Sequence, residues 1–256
     1  MSASFALAAI AVTTSSVSAA GWGTVKGRFV YKGTAKPEKI TPTKDVEFCG
    51  KHDLVDETVA VGKEGGLQNV FVYLYTARGK KVDVHESYAA GSEAKVLDNK
   101  GCRFEPHAMT LWTEQPLEIR NSDEGVGHNT NGQLLVQNPK FNEQVTSGSP
   151  ITKKFSKSEP IPTKVACNVH PWMSAFVLIR DNPYMAVSGE DGSFVIENVP
   201  AGKQDFVFWH EAKGNLKDLA VGKGKADRKG QVSLEVKDGE TLDLGEIAVT
   251  SAVLGK

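Results

Sequence analysis

Residues able to bind one soft metal ion cluster in the second half of the chain. Cys167, His170 and Met173 are spaced as Cys-x2-His-x2-Met, and a Gly-His-Asn sequence places His128 upstream. A thiolate with two imidazoles and a long, weak thioether bond selects copper and suits it to the transfer of single electrons. The spacing therefore predicts one mononuclear copper ion with His128, Cys167, His170 and Met173 as its metal ligands.

A purely structural cysteine and a zinc site are the two competing interpretations of this pattern. A Cys-x2-His pair alone is common, and a buried free cysteine is usually just a small apolar residue. Structural zinc prefers four Cys or His ligands, and a thioether is a poor ligand for it. Copper is favoured because Met173 has the matching offset, Pro171 follows the histidine and a predicted strand lies on each side.

Short β-strands are predicted along the chain after Gly21. Runs rich in Val, Phe, Ile and Tyr, bounded by turn residues, are typical of an all-β sandwich or barrel. The predicted strands are Thr24–Tyr31, Asn69–Tyr75, Leu117–Asn121, Ala175–Ile179, Ser193–Ile196, Asp205–Trp209 and Gln231–Val236. Stretches 33–48 and 138–160, rich in Lys, Pro, Ser and Thr, are expected to be long connections. Cys167 would end one strand and Met173 begin the next, so that one tight turn carries three ligands.

The ligand set resembles that of the cupredoxins, the type 1 blue copper proteins, in their amicyanin- and plastocyanin-like branch. That branch has the same short Cys-x2-His-Pro-x-Met loop and a preceding His-Asn. The resemblance implies a Greek-key β-fold, with His128, Cys167 and His170 as equatorial ligands and Met173 as the axial one. It also implies that Asn129 links the two ligand loops by hydrogen bonds. The wider chain resembles secreted proteins of the methylamine-utilisation type.

A second resemblance concerns the flanks of the chain. Gly23–Gly33 and Asn69–Tyr75 resemble the first strands of carboxypeptidase-regulatory-like, Ig-type β-sandwich modules. The usual continuation, Asp-Gly-x-Phe followed by Val-Pro-x-Gly, occurs only at 191–194 and 199–202. An inserted domain is tolerated when its termini lie close together. The domains expected are a cupredoxin copper domain of residues 94–181, inserted in or joined to an Ig-like β-sandwich of residues 21–93 and 182–256.

The N-terminus is predicted to be a signal peptide covering residues 1–20. Residues 4–14 are small and apolar, and both Val17-x-Ala19 and Ser18-x-Ala20 fit the small-residue rule for cleavage. The stretch is too short to span a bilayer, although no Lys or Arg precedes it; a disordered or core-packed N-terminus is the alternative. The mature protein is therefore expected in the periplasm or outside the cell, at its surface, with no membrane span.

The chain has three cysteines, at 49, 102 and 167. In an oxidising compartment two of them would form a disulfide and leave one for the metal. A disulfide between Cys49 and Cys102 would leave Cys167 free to bind the metal. The alternative is a second, Cys2His2 metal centre formed by these two cysteines with His52 and His107.

Charge and motifs narrow the function. The net charge is -1, from 30 basic and 31 acidic residues without a long basic run, so nucleic acid is not an expected partner. No hydrolase or phosphate-binding motif occurs. Four protein ligands leave no position open for a substrate, so the sequence predicts a monomeric electron carrier between redox proteins, with no catalytic residues. The alternatives are a non-redox surface or structural β-sandwich protein, a copper carrier, or a copper enzyme in which water replaces Met173.

Overall fold

The computed structural model describes residues 21–77, 79–88 and 93–255, so the predicted signal peptide lies outside the described residues. In these ranges α-helix is confined to α1 (Val46–Cys49) and α2 (Ser251–Leu254), with 3₁₀ turns at Lys63–Gly65 and Glu86–Tyr88. No helix in the same ranges is long and apolar enough to cross a membrane. The prediction of an all-β fold is confirmed.

Strands make up the rest of the regular structure. In chain order they are β1 (Trp22–Lys32), β2 (Phe71–Leu74), β3 (Lys95–Asn99), β4 (Phe104–Glu105), β5 (Ala108–Trp112), β6 (Leu117–Asn121), β7 (His128–Gly132), β8 (Phe141–Val145), β9 (Ile151–Lys153), β10 (Thr163–Ala166), β11 (Ser174–Arg180), β12 (Met185–Val187), β13 (Ser193–Pro200), β14 (Gly202–His210), β15 (Gly214–Asn215), β16 (Ala220–Val221), β17 (Gly224–Lys225), β18 (Gln231–Val236) and β19 (Thr241–Thr250). Every predicted strand overlaps one of them.

The stretch 138–160 is not the plain connection that its composition predicts, because it contains β8 and β9. β8 lies at the edge of its sheet and pairs with β7. Asn142 and Gln144 on β8 are exposed. Polar side chains are common on edge strands because they discourage pairing with other chains. They also give such a strand the composition of a loop.

Strands from the two ends of the chain form one pair of sheets, which we call the terminal sandwich. One sheet has the order β13-β1-β19, and the other has the order β12-β2-β14-β15 with β18 paired to β14. Their inner faces meet in one apolar core that includes Phe29, Val72, Phe194, Phe208 and Val249. Every strand before β3 or after β11, apart from the small β16–β17 hairpin, belongs to this sandwich.

The intervening strands, β3 to β11, form a second pair of sheets, which we call the central sandwich. Its sheets have the orders β4-β3-β6-β9 and β5-β11-β10-β7-β8. Their core includes Leu97, Phe104 and Ile119, and both Cys167 and Met173 are part of it. That the central sandwich folds as a domain of its own stays a prediction.

A third apolar cluster lies between the two sandwiches. Phe71 and Trp209 of the terminal sandwich pack with Leu178 of the central one, and the rings of Trp209 and Phe176 are 5.2 Å apart between centroids. Beside this cluster, the half-buried His107 forms a hydrogen bond with Glu211. The central sandwich is therefore packed firmly against the terminal one.

Candidate metal centre

The loop of residues 167–173 joins two neighbouring strands. β10 and β11 pair antiparallel, with Ala166 opposite Ser174 at the end of the ladder. The amide of Cys167 donates to the carbonyl of Met173 at 3.2 Å, and the amide of Met173 donates to the carbonyl of His170 at 2.9 Å. These two bonds close the loop into the single tight turn that the sequence predicts.

His128 reaches the loop from the adjacent strand. It begins β7, which pairs with β10 through Asn131 opposite Ala166. The bend before β7 contains Gly125 with φ of +77°, a conformation that glycine adopts without steric cost. The imidazole rings of His128 and His170 are consequently 4.6 Å apart between centroids.

Three of the four predicted ligands meet in the interior of the central sandwich. One ring nitrogen of His128, one of His170 and the sulfur of Cys167 all lie within 4.8 Å of one another. Both histidines are 0% exposed and Cys167 is 3% exposed. Met173, at the far end of the loop, is 1% exposed and belongs to the same core cluster as Cys167.

A carboxylate holds the Nε2 atom of each histidine. Asp123 Oδ2 is 2.9 Å from Nε2 of His128, and Asp45 Oδ2 is 2.8 Å from Nε2 of His170. The Nδ1 atoms are therefore the nitrogens left for a metal. Nδ1 of His170 is 3.8 Å from the Cys167 sulfur, and Nδ1 of His128 is buried with no hydrogen-bond partner among the described residues. A carboxylate behind a ligating imidazole fixes its tautomer and orientation.

The electrostatics of the cluster favour an ionised sulfur. Burial alone would raise the pKa of Cys167, but the neighbouring His128 imidazole and hydrogen bonds from the backbone amides of Asn129 and His170 lower it to about 6. Burial alone would lower the pKa of His128, but its interactions with Asp123 and Cys167 raise it to about 9. The thiolate is the form of cysteine that binds metals.

Asn129 connects the two ligand-bearing segments, as the cupredoxin resemblance implies. Its Oδ1 accepts hydrogen bonds from the amides of Asn168 at 2.7 Å and Val169 at 3.3 Å. Its Nδ2 donates to Asn142 on β8 at 2.6 Å. The Cys167 thiol also lies 3.4 Å from Oδ1. One buried amide thus sets the position of the loop relative to β7.

These residues fit a copper ion on the chemistry of their donors. A soft sulfur of lowered pKa and two imidazole nitrogens converge within 4.8 Å in a buried pocket, which is the donor set that copper electron-transfer sites use. The unpartnered Nδ1 of His128 points to the same conclusion. A buried polar atom without a partner is costly unless something else satisfies it.

Cys49 and Cys102 form a disulfide with a Cα–Cα distance of 5.5 Å, while Cys167 is free. The alternative of a second Cys2His2 centre is therefore wrong, because both sulfurs are bonded to each other.

His107 contacts two carboxylates: its Nδ1 is 3.6 Å from Glu57, and its Nε2 forms a hydrogen bond with Glu211. Trp172 donates its Nε1 hydrogen to the carbonyl of Cys102 at 3.0 Å and packs beside His170, so it supports the loop.

Two carboxylates at this centre were not identified from the sequence. Asp123 is five residues before His128 within a predicted bend, where an aspartate is ordinary turn chemistry. Asp45 is 125 residues from its partner His170, in a stretch expected to be a connection. No local pattern marks either of them.

The likeness of this chain to known proteins lies in its structure. No protein-family model matches the sequence, and no curated protein matches it. Several solved structures match parts of the chain. A copper-containing nitrite reductase (NirK) from Thermus scotoductus SA-01 is 14% identical with a TM-score of 0.31, and the match covers 41% of this chain and 25% of that one.

Two smaller proteins match over most of their own length. An oxidised amicyanin mutant is 15% identical with a TM-score of 0.29, over 36% of this chain and 85% of that one. A purple cupredoxin from Nitrosopumilus maritimus is 19% identical with a TM-score of 0.27, over 33% of this chain and 97% of that one. Each of these three matches covers less than half of this chain.

Proposed function

We propose that this protein binds one copper ion at His128, Cys167, His170 and Met173 and carries single electrons between redox proteins. The observation that carries the proposal is the buried convergence of two imidazoles and one free thiol within 4.8 Å. Bound there, copper would supply a one-electron couple. The chain's own contribution is to hold the donors in fixed positions and to keep water away from them.

Fixed positions matter because an electron carrier should change its geometry little between oxidation states. The loop 167–173 is closed by two backbone hydrogen bonds, Asn129 ties it to β7, and both imidazoles are held from behind by carboxylates. With Met173 as a weak axial ligand, no coordination position remains for a substrate. We therefore propose a carrier and not an enzyme.

The proposal includes a location and partners. Disulfides persist in oxidising compartments, so Cys49–Cys102 supports a place in the periplasm or at the cell surface. The partners would be redox proteins that exchange electrons with a monomer of this chain.

The test is the visible spectrum of the protein after oxidised copper is added. A short bond between copper and the Cys167 thiolate should give intense visible absorption, whereas the zinc-loaded protein should be colourless. Cys167→Ser should abolish the colour because a hydroxyl is neither soft nor readily deprotonated. A copper-loaded wild-type protein without visible colour would show that the proposed kind of site is wrong.

A copper carrier, or a protein whose copper is structural, is the second candidate. It is favoured by the complete burial of both histidines, since no imidazole edge reaches solvent. Voltammetry separates the two candidates. A reversible one-electron response supports the electron carrier, and a copper-dependent stability without any redox response supports the second candidate.

A further inference from the structure

Asp45 brings a charged group to the metal centre from outside the central sandwich. Its carboxylate lies 2.8 Å from Nε2 of His170, with 45% of the Asp45 side chain exposed and His170 fully buried. The Asp45 carboxylate therefore lies between the His170 imidazole and solvent. We call residues 40–54, which carry Asp45, the cap segment.

The cap segment is held in place on both sides of Asp45. Amides of Phe48 and Cys49 donate to the Asp45 carbonyl, at 2.9 and 2.8 Å, and form the start of α1. The ends of the segment are joined by the bond from the Ile40 amide to the Leu54 carbonyl at 2.9 Å. Its apolar side chains pack with Cys49, Cys102 and Trp172 in a small core of their own.

The disulfide joins the cap segment to Cys102, whose amide helps to hold Asp123, the carboxylate behind His128. Cys49 lies in α1, four residues after Asp45, and is bonded to Cys102. The amides of Cys102 and Gly101 donate to the Asp123 carboxylate at 2.9 and 2.6 Å. Asp123 in turn holds Nε2 of His128. One covalent link therefore lies next to both carboxylates behind the proposed ligands.

Asp45 in the cap segment and Cys102 in the disulfide both have an unusual backbone conformation. Asp45 has φ of +45° and Cys102 has φ of +57°. Residues other than glycine adopt this left-handed region uncommonly, although aspartate is enriched there. Such conformations persist where the surrounding structure enforces them, and they cluster at functional sites.

We propose that Asp45 is a positioning residue of the copper centre and that the Cys49–Cys102 disulfide holds it against His170. The inference rests on the proposed copper site. Without the Asp45 carboxylate, the His170 ring loses the partner that fixes its tautomer and orientation, and its edge becomes open to water. Loss of a partner of this kind typically lowers metal affinity by about 10- to 100-fold.

The first experiment needs no metal. Diethyl pyrocarbonate modifies accessible imidazoles, and mass spectrometry of peptides locates the modified histidine. In the metal-free wild type, exposed His52 should react and both His128 and His170 should be protected. In Asp45→Ala, His170 should react while His128 stays protected.

The matched control is Asp53→Ala, in the same segment. Asp53 is exposed and forms a surface ion pair with Lys39 at 3.3 Å, away from His170, so His170 should stay protected in this variant. Cys49→Ser combined with Cys102→Ser should expose His170 as Asp45→Ala does, because the cap segment is no longer held. Equal protection of His170 in Asp45→Ala and Asp53→Ala would overturn the proposal.

The second experiment measures copper affinity by competition with a chelator. Asp45→Ala and the double cysteine variant should bind copper about 10- to 100-fold more weakly than wild type, and Asp53→Ala should match wild type. Asp45→Asn should lie between, because an amide oxygen still accepts the hydrogen bond and asparagine tolerates a positive φ. This variant also decides the matter if Asp45→Ala does not fold: wild-type copper affinity in Asp45→Asn would then overturn the proposal.

The two proposals fail differently. A wild-type protein that binds no copper refutes the proposed function, while the labelling of His170 still shows whether Asp45 seals this imidazole. A wild type that binds copper only as strongly as Asp45→Ala does refutes the role of Asp45 alone.

Discussion

Cys167 and His128 are an acid–base pair before any metal is present. The pKa of Cys167 is lowered from its ordinary value of 9.0 to about 6. Ionisation of Cys167 therefore stabilises the fold fully above pH 9, and this contribution disappears as the pH drops through 6. The pKa of His128 rises from 6.5 to about 9, so its protonation stabilises the fold fully below pH 6.5 and this contribution disappears as the pH rises through 9. Between about pH 6 and pH 9, rising pH strengthens the contribution of Cys167 and weakens that of His128, so the two oppose each other.

His128→Gln should separate the pair. Without the imidazole that stabilises the thiolate, the pKa of Cys167 should rise above its wild-type value of about 6. Ultraviolet absorbance of the thiolate in the metal-free protein, followed against pH, measures this. His52→Gln, which changes an exposed histidine, should leave the titration as in wild type. An unchanged midpoint in His128→Gln would mean that His128 does not acidify Cys167.

Met173 is expected to tune the copper and not to anchor it. Met173→Leu should keep copper and colour and should raise the reduction potential, because a weak axial donor is removed and the three stronger donors remain. Voltammetry and absorption spectra measure both. Met109→Leu, a change of another buried methionine in the same core, should leave the potential unaltered. Loss of copper from Met173→Leu would show that the thioether is needed to hold the ion.

At the scale of elements, the centre depends on how β7 and the loop 167–173 are joined. Asn129→Ala removes the acceptor for the amides of Asn168 and Val169. Leaving such donors without a partner should lower the free energy of unfolding by about 1–3 kcal/mol, measured by urea denaturation. Asn131→Ala removes only an exposed side-chain contact, from Asn131 to Asn168 at 3.2 Å, and should cost less. An equal loss of unfolding free energy in Asn129→Ala and Asn131→Ala would show that Asn129 has no special role.

The elements show how far the sequence alone could predict this protein. The loop 167–173 could be predicted because the spacing of Cys167, His170 and Met173 is local and its chemistry is specific. Apolar strands such as β6 and β18 could be predicted with their bounds, because burial of one face leaves a period of two. β8 could not, since its polar edge position gives it the composition of a loop. Asp45 could not, because only the tertiary fold brings it to His170.

At the scale of the whole molecule, the central sandwich should fold without the rest of the chain. Among the residues that the structure describes, its strands β3 to β11 pair only with one another, and its core has its own apolar residues. A fragment of residues 92–182 with Cys102→Ser should therefore unfold cooperatively on heating, as followed by circular dichroism. It should bind copper more weakly than the full chain, because Asp45 is absent.

The same fragment extended to residues 22–182 is the comparison. If the short fragment stays unfolded while the longer one folds, the N-terminal strands belong to the central core, and the predicted inserted domain is wrong. If both fold, the domain of residues 94–181 is supported as a unit.

The pairing of β1 bears on how the protein is made. β1 lies between β13 and β19, and it runs parallel to β19 from Thr24 opposite Thr241 to Lys32 opposite Thr250. During synthesis at about 5–20 residues per second, β19 begins to emerge roughly 10–40 s after β1 is complete. Until β13 has emerged both edges of β1 are unpaired, and the edge that β19 covers stays unpaired for the whole interval. Of the strands described, β1 is made first and is among the last to complete its pairing, so a chaperone that shields nascent chains would be needed most at residues 22–32.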